Sequence, residues 1–374
     1  MKIVYLLLTS LLFVSINLHA KDRKLVLITI DGLRWQEVFN GADLAMAHNR
    51  NISPHLQQAQ LLKGDESQRR QALMPFLWQT IAEQGVLIGD RNQDSTMQVQ
   101  NQWAFSYPGY SEIFTGVTNP KLDSNAKRYN PEISFLEWLN HQPKYQNKIG
   151  FFGSWDVFPY ILNQPRSQLH INAGFASASH QPQSAQITLL NQLQSEIPSP
   201  WHNVRLDSFT YRFAKDYLLN IKPEVLTIAF GETDDFAHDG RYDLYLEAAL
   251  RTDQYIADLW QQLQQMPEYK NNTNLLIVTD HGRGNTLKDW QHHASNQAVQ
   301  RYMKALKKDF ANGVVGAEHI WMAAIGPDIK NIGLLKAEKD FYQSQIASTA
   351  LTLLKQDPIT FNPKANNAIS EIIK

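Results

Sequence analysis

Leu25-Val26-Leu27-Ile28-Thr29-Ile30-Asp31-Gly32 is the stretch on which the fold turns. Its apolar and β-branched residues run without alternation and stop at an acid followed by a glycine. A strand wetted on one face would alternate, so this run predicts a central strand of a parallel sheet, covered on both faces. Residues 148–152, 225–230, 275–279 and 320–325 read the same way. Helical patterns lie between them at 76–84, 187–193, 209–219, 244–263 and 344–354. The clearest is 244–263, where Leu244, Ala248, Tyr255, Leu259 and Leu263 share a face and Asp243 is the expected N-cap. Strands alternating with helices predict an α/β fold: a mostly parallel central sheet with helices on both faces. The polar stretches 41–70 and 164–202 read as insertions at the rim of one catalytic domain spanning 21–374.

The bulk properties narrow the function. The chain has 374 residues, 43% of them hydrophobic and 19% charged, which describes a folded protein with a large core. A formal net charge of −1 gives no global field to hold nucleic acid or an anionic membrane. Residues 1–20 differ from the rest: Lys2, then an apolar run to Ile16, then Ala20 before the charged Lys21-Asp22-Arg23-Lys24. This is the layout of a secretory signal cleaved after Ala20, leaving no stable membrane anchor and placing the protein in a bacterial periplasm or outside the cell. The sequence has no cysteine, so disulfides and thiolate metal sites are excluded.

Acids and histidines recur just after the expected strands. Asp31 ends the first, Asp234 and His238 follow 225–230, and Asp280-His281-Gly282 ends 275–279. In a parallel sheet the carboxyl ends of the strands share one edge, where ligands bind, so these residues should converge. Carboxylate oxygen and imidazole nitrogen suit zinc, manganese or magnesium. One Asp after a strand is usually a cap or turn residue; three such elements in one chain point to a metal centre. Ser106, in Phe105-Ser106-Tyr107-Pro108-Gly109-Tyr110, precedes a turn that can open a helix, which suits either an N-cap or a nucleophile held where helix N–H groups act on it. In residues 151–158, Trp155 and Asp156 are candidate pocket residues, while the phenylalanines read as core.

Together, Ile30-Asp31-Gly32, Ser106-Tyr107-Pro108-Gly109-Tyr110, Phe114-Thr115-Gly116, Asp234 with His238, and Thr279-Asp280-His281-Gly282 resemble the ordered signature of the alkaline phosphatase superfamily. The nearest branch is the nucleotide pyrophosphatase/phosphodiesterase-like one, over roughly residues 25–327. The resemblance implies hydrolysis of a small phosphate ester, monoester or diester, at two divalent ions, zinc before manganese or magnesium. It implies one ion on Asp31, Ser106, Asp280 and His281, and a second on Asp234, His238 and a later histidine. His293 is taken for that last place, with His292 and His319 as rivals. Ser106 would act as nucleophile through a phosphoserine intermediate. Two positions depart from the phosphodiesterase-like pattern. Serine stands at 106, where that branch usually has threonine, and Gly109 stands where an asparagine is expected to hold the phosphoryl oxygens. That contact must then come from a backbone N–H or another side chain, with Lys127, Arg128 and Arg283 as candidates. Competing readings are a sulfatase, disfavoured by Tyr110 at the place of an arginine, a phosphomutase, and a periplasmic binding protein without turnover.

Overall fold

A computed structural model describes residues 22–181 and 183–374, so the signal expected at 1–20 lies outside the described residues. The centre is an eight-stranded sheet in the order β10-β2-β9-β7-β1-β6-β4-β5. Its strands are β1 (Lys24–Ile30), β2 (Val86–Ile88), β4 (Ile149–Gly153), β5 (His170–Ala173), β6 (Val225–Phe230), β7 (Thr273–Val278), β9 (Met322–Ile325) and β10 (Gly333–Leu334). A small second sheet joins β11 (Phe341–Tyr342), β3 (Met97–Gln98) and β8 (His319–Ile320). The parallel core β7-β1-β6-β4-β5 is where the unbroken apolar runs fall, and every residue of β1, β6 and β7 is buried.

Both faces are covered, as continuous apolarity requires. Leu25 and Leu27 enter one cluster, with Tyr107, Tyr110, Ile113 and Phe114 of α1 (Ser106–Thr115). Val26, Ile28 and Ile30 enter the other. That second layer is built by α2 (Ala185–Glu196), α3 (Asp207–Ile221) and α5 (Tyr242–Gln265); the short α4 (Glu232–His238) leads into α5. Each such aliphatic side chain taken from water contributes about 1.5–3 kcal/mol, so two-sided burial anchors β1, β6 and β7 alike.

Three expectations need correction. Residues 320–325 are not one parallel strand. The run breaks at Trp321, whose indole donates to the Leu33 carbonyl at 2.9 Å, and β9 runs antiparallel to both β7 and β2. The stretch 164–202 does more than decorate a rim: it supplies edge strand β5 and α2, which packs on α3. Asp243 is not the cap of α5 but lies inside its first turn, where its carboxylate accepts the His55 and Leu244 N–H groups. The buried stripe of that helix is led by Tyr242, Tyr245 and Leu246, with Leu244 and Tyr255 only half-buried. No helix among the described residues is long and apolar enough to cross a membrane.

Candidate active site

Three neighbouring strands, β7, β1 and β6, deliver the acids to one edge. Asp31 follows β1 directly, Asp280 and His281 follow β7, and the turn after β6 opens α4 with Asp234 in its first turn and His238 at its end. Ser106 reaches the same point from the first position of α1. The turn before it is tightly tied. Asn101 Oδ1 accepts from Trp103 and Ala104, the Glu112 carboxylate accepts from Gln100 and Asn101, and Ala104 adopts a left-handed φ of 53°. A β-carbon in that region costs about 1–2 kcal/mol, a cost this hydrogen-bonded turn holds next to the nucleophile candidate.

All seven residues read from the sequence meet here. Ser106 Oγ lies 3.3 Å from His281 Nε2, which lies 3.3 Å from Asp31 Oδ1 and 3.4 Å from Asp280 Oδ2. Asp234 Oδ2 is 3.3 Å from His238 Nε2, Asp234 Oδ1 is 3.6 Å from His293 Nε2, and the two imidazole Nε2 atoms face each other at 3.0 Å. The rivals of His293 stand apart from this cluster: His292 packs its ring on Phe310, and His319 pairs with Glu318. Tyr110 donates to Asp31 Oδ2 at 3.0 Å, and Gly32 N–H donates to Asp280 Oδ1 at 3.0 Å.

The protonation of this cluster follows from burial and crowding. Burial, then the Asp234 charge, raises Asp31; burial, then Asp31, pushes Asp280 well above the carboxylate range. Burial works against the His281 cation, yet Asp280 and Asp31 outweigh it and raise that imidazole to about 9. Burial also opposes the Asp234 carboxylate, but His238 and the buried Arg283 guanidinium hold it well below the usual range. His293 is held well below its ordinary value by burial and by His281, on which it stacks at 3.8 Å.

The phosphoryl contact expected of Lys127, Arg128 or Arg283 is differently placed. Arg283 is locked on Asp234 and the carbonyls of Trp290 and Gln291, Arg128 pairs with Asp123 outside, and Lys127 lines the cavity paired with Asp156. Gly109 is a packing residue: a Cβ there would meet the Asp280 carbonyl oxygen at 2.3 Å, so no asparagine fits. Asn125 was not legible from the sequence. It lines the cavity beside Ser106, and its Oδ1 accepts the Tyr107 N–H at 3.0 Å, leaving its amide N–H groups to donate. Its only signal was a polar turn downstream of Ser106. The cavity holds about 410 Å³, and Trp155 and Asp156 line it, while Phe151, Phe152 and Phe158 are buried core.

A covered mostly parallel sheet with this edge defines the class: the fold is that of the alkaline phosphatase superfamily. It superposes on the alkaline phosphatase PafA with TM-score 0.58, 12% identity, and 94% of this chain and 99% of that chain covered. Murine ectonucleotide pyrophosphatase/phosphodiesterase 5, an inactive variant in complex with AMP, gives 0.52 at 12% identity over 94% of this chain and all (100%) of that chain. The phosphonate monoester hydrolase from Silicibacter pomeroyi gives 0.52 at 13% identity over 93% and 76%. No curated protein matches the chain. The family model for type I phosphodiesterase / nucleotide pyrophosphatase matches residues 42–324, and the chain belongs to that family.

Proposed function

We propose that this protein is a metal-dependent hydrolase of small phosphate esters in which Ser106 is the nucleophile. The observation that carries the proposal is the convergence of two donor groups, Asp31/Asp280/His281 and Asp234/His281/His293, on the Ser106 hydroxyl. The residues suit divalent ions. Asp31 Oδ1 and Asp280 Oδ2 are buried without a hydrogen-bond partner among the described residues. The His281 and His293 Nδ1 atoms face the Gly282 and Ala104 carbonyls at 2.9 and 3.3 Å. As N–H donors to those carbonyls they leave both Nε2 lone pairs facing inward, the tautomer a metal ligand needs.

Asp31, Ser106, Asp280 and His281 would hold one ion, and Asp234, His238 and His293 the other; zinc is the first choice from this donor set. Such ions supply charge neutralisation, lowering the pKa of the Ser106 hydroxyl and stabilising the leaving-group oxygen. Ser106 Oγ attacks phosphorus in line as the ester P–O bond breaks, giving a phosphoserine. Water then cleaves that ester, with inversion at each step. The α1 N-terminus and the Asn125 amide donate to the phosphoryl oxygens, where charge builds in the transition state. Residues 21–374 act as one catalytic domain, exported after cleavage behind Ala20, and the partner is a small molecule rather than nucleic acid.

The purified protein should bind about two transition-metal ions per chain and hydrolyse p-nitrophenyl phosphate. Ser106→Ala should abolish turnover with most metal retained; full activity in that variant overturns the mechanism. Rates on a phosphate monoester, a diester and a sulfate ester separate the branches of the superfamily, and the N-terminal mass of the exported protein tests the cleavage site.

A further inference from the structure

The cavity over Ser106 carries two acids that the proposed chemistry does not use, Asp156 and Asp235. Apart from Asp31, Ser106, Asp234, His238 and His293, the acids, bases and imidazoles on its wall are Lys127, Asp156, His202 and Asp235. Lys127 Nζ lies 2.6 Å from Asp156 Oδ2, so these two neutralise each other. Asp235 has no ion pair, and no hydrogen bond reaches its carboxyl among the described residues. The hydroxyl of Ser154, behind that wall, is engaged with Asp207 and Thr210. Two further acids, Asp207 and Asp239, also act on Asp235.

Its position says which part of a substrate it meets. Asp235 Oδ2 lies 3.8 Å from the place a Cβ on Gly231 would take, a place flanked by Val204 Cγ1 at 3.0 Å and Ser154 Cβ at 3.4 Å. That is the wall formed where Trp155 and Val204 bridge, on the Asp234 side of the cavity. Asp235 adjoins Asp234 in α4 and lines the cavity where the organic part of a bound phosphate ester must lie, and in a monoester that part is the leaving group. A half-buried carboxyl without a partner on a cavity wall favours a ligand that brings both a positive charge and N–H donors.

We propose that Asp235 is a specificity-determining residue that receives a primary ammonium group on the substrate's leaving group, so the preferred substrates are phosphate esters of amino alcohols. The Trp155 indole lines the same cavity, and an aromatic ring there tolerates an alkylammonium; Lys127, already paired, does not compete. This rests on the phosphate-ester reading, so the test separates the two.

Ligand binding to metal-loaded Ser106→Ala protein, by titration calorimetry, isolates recognition from the different reactivities of the leaving groups. The ligands are O-phosphoethanolamine, 2-hydroxyethyl phosphate and ethyl phosphate. The expected result is binding of O-phosphoethanolamine about tenfold or more tighter than ethyl phosphate, with 2-hydroxyethyl phosphate close to ethyl phosphate. Adding Asp235→Asn should collapse that ratio towards one. Equal binding of all three, a preference for the hydroxyl compound, binding of none, or a ratio that survives Asp235→Asn overturns the inference. So does a third metal ion per chain that is lost with Asp235→Asn, since the carboxyl would then be a ligand. The comparison on Ser106→Ala needs no change at 235, so misfolding of the second variant does not shield the idea. Hydrolysis of p-nitrophenyl phosphate by the wild type judges the parent reading separately.

Discussion

Replacing Gly109 by alanine should damage both stability and turnover, although alanine is the better helix former. In the interior of a free helix the change would gain about 1 kcal/mol. Here the new Cβ would sit 2.3 Å from the Asp280 carbonyl oxygen and 3.1 Å from its carbonyl carbon, whereas ordinary contact begins at 3.4 Å. Neither atom can rotate away, because both belong to the backbone at the end of the central β7 region. Roughly 1 Å must therefore open between α1 and the Asp280 turn, and overpacking of this kind costs about 1–3 kcal/mol. The net loss should be up to about 2 kcal/mol, a fall in Tm of up to about 3 °C for a chain of this size. The displacement carries Ser106 away from His281 and Asp31, and a shift of about 1 Å in a reacting group costs on the order of a hundredfold in rate. Thermal unfolding of the metal-free protein and kcat/KM on p-nitrophenyl phosphate read the two effects independently. A Gly109→Ala protein that melts higher and turns over at the wild-type rate would refute the seating of α1 on Asp280.

Other outcomes follow from the same geometry. His293→Ala should bind about one ion per chain in place of about two, while His319→Ala should bind both; elemental analysis after gel filtration distinguishes them. Asn125→Ala should lower kcat/KM by about 10²–10³ through loss of an oxyanion donor. Asn125→Asp keeps the acceptor for the Tyr107 N–H but not the donor, so it should be equally inactive yet fold as the wild type does. The His281 imidazole is raised from 6.5 to about 9 in the metal-free fold. Its contribution to the stability of that form is therefore full below about pH 6.5 and lost as pH rises through about 9. Chemical denaturation of chelated protein between those limits should show the decline, and metal uptake near neutral pH should release protons measurable in weak buffer.

The centre of the molecule was readable because its constraints are local and strong. A strand buried on both faces must be apolar throughout, so β1, β6 and β7 announce themselves, and the acids that follow them stand at the same edge. Direction was not readable, since an apolar run has no arrow: β9 looks like its neighbours and runs the other way. Edge strand β5 was hidden because a strand with one neighbour tolerates His170 and Asn172, which erase the apolar signature. The stripe on α5 was misplaced because it was counted from Leu244, whereas the helix begins at Tyr242; the rings of Tyr242 and Tyr245 are buried while their hydroxyls reach Glu37. Asn125 was missed because its partner, the Tyr107 N–H, is set by a loop returning in space. Gly109 was read as a missing side chain when its meaning was a close approach of two backbones.

The adjacency of β7, β1 and β6 also bears on how long the protein survives. Asp31, Asp234 and Asp280 lie far apart in the chain yet end neighbouring strands, so ions shared among them would close two long loops at once. In a protein with no cysteine, coordination would take the role of a covalent staple across the sheet. Such a staple is indifferent to reductants and vulnerable to chelators. Its grip tightens with the logarithm of the free ion concentration. The lifetime of the folded chain would then track the metal supply of its surroundings, and starvation for the ion would remove the protein as well as its activity.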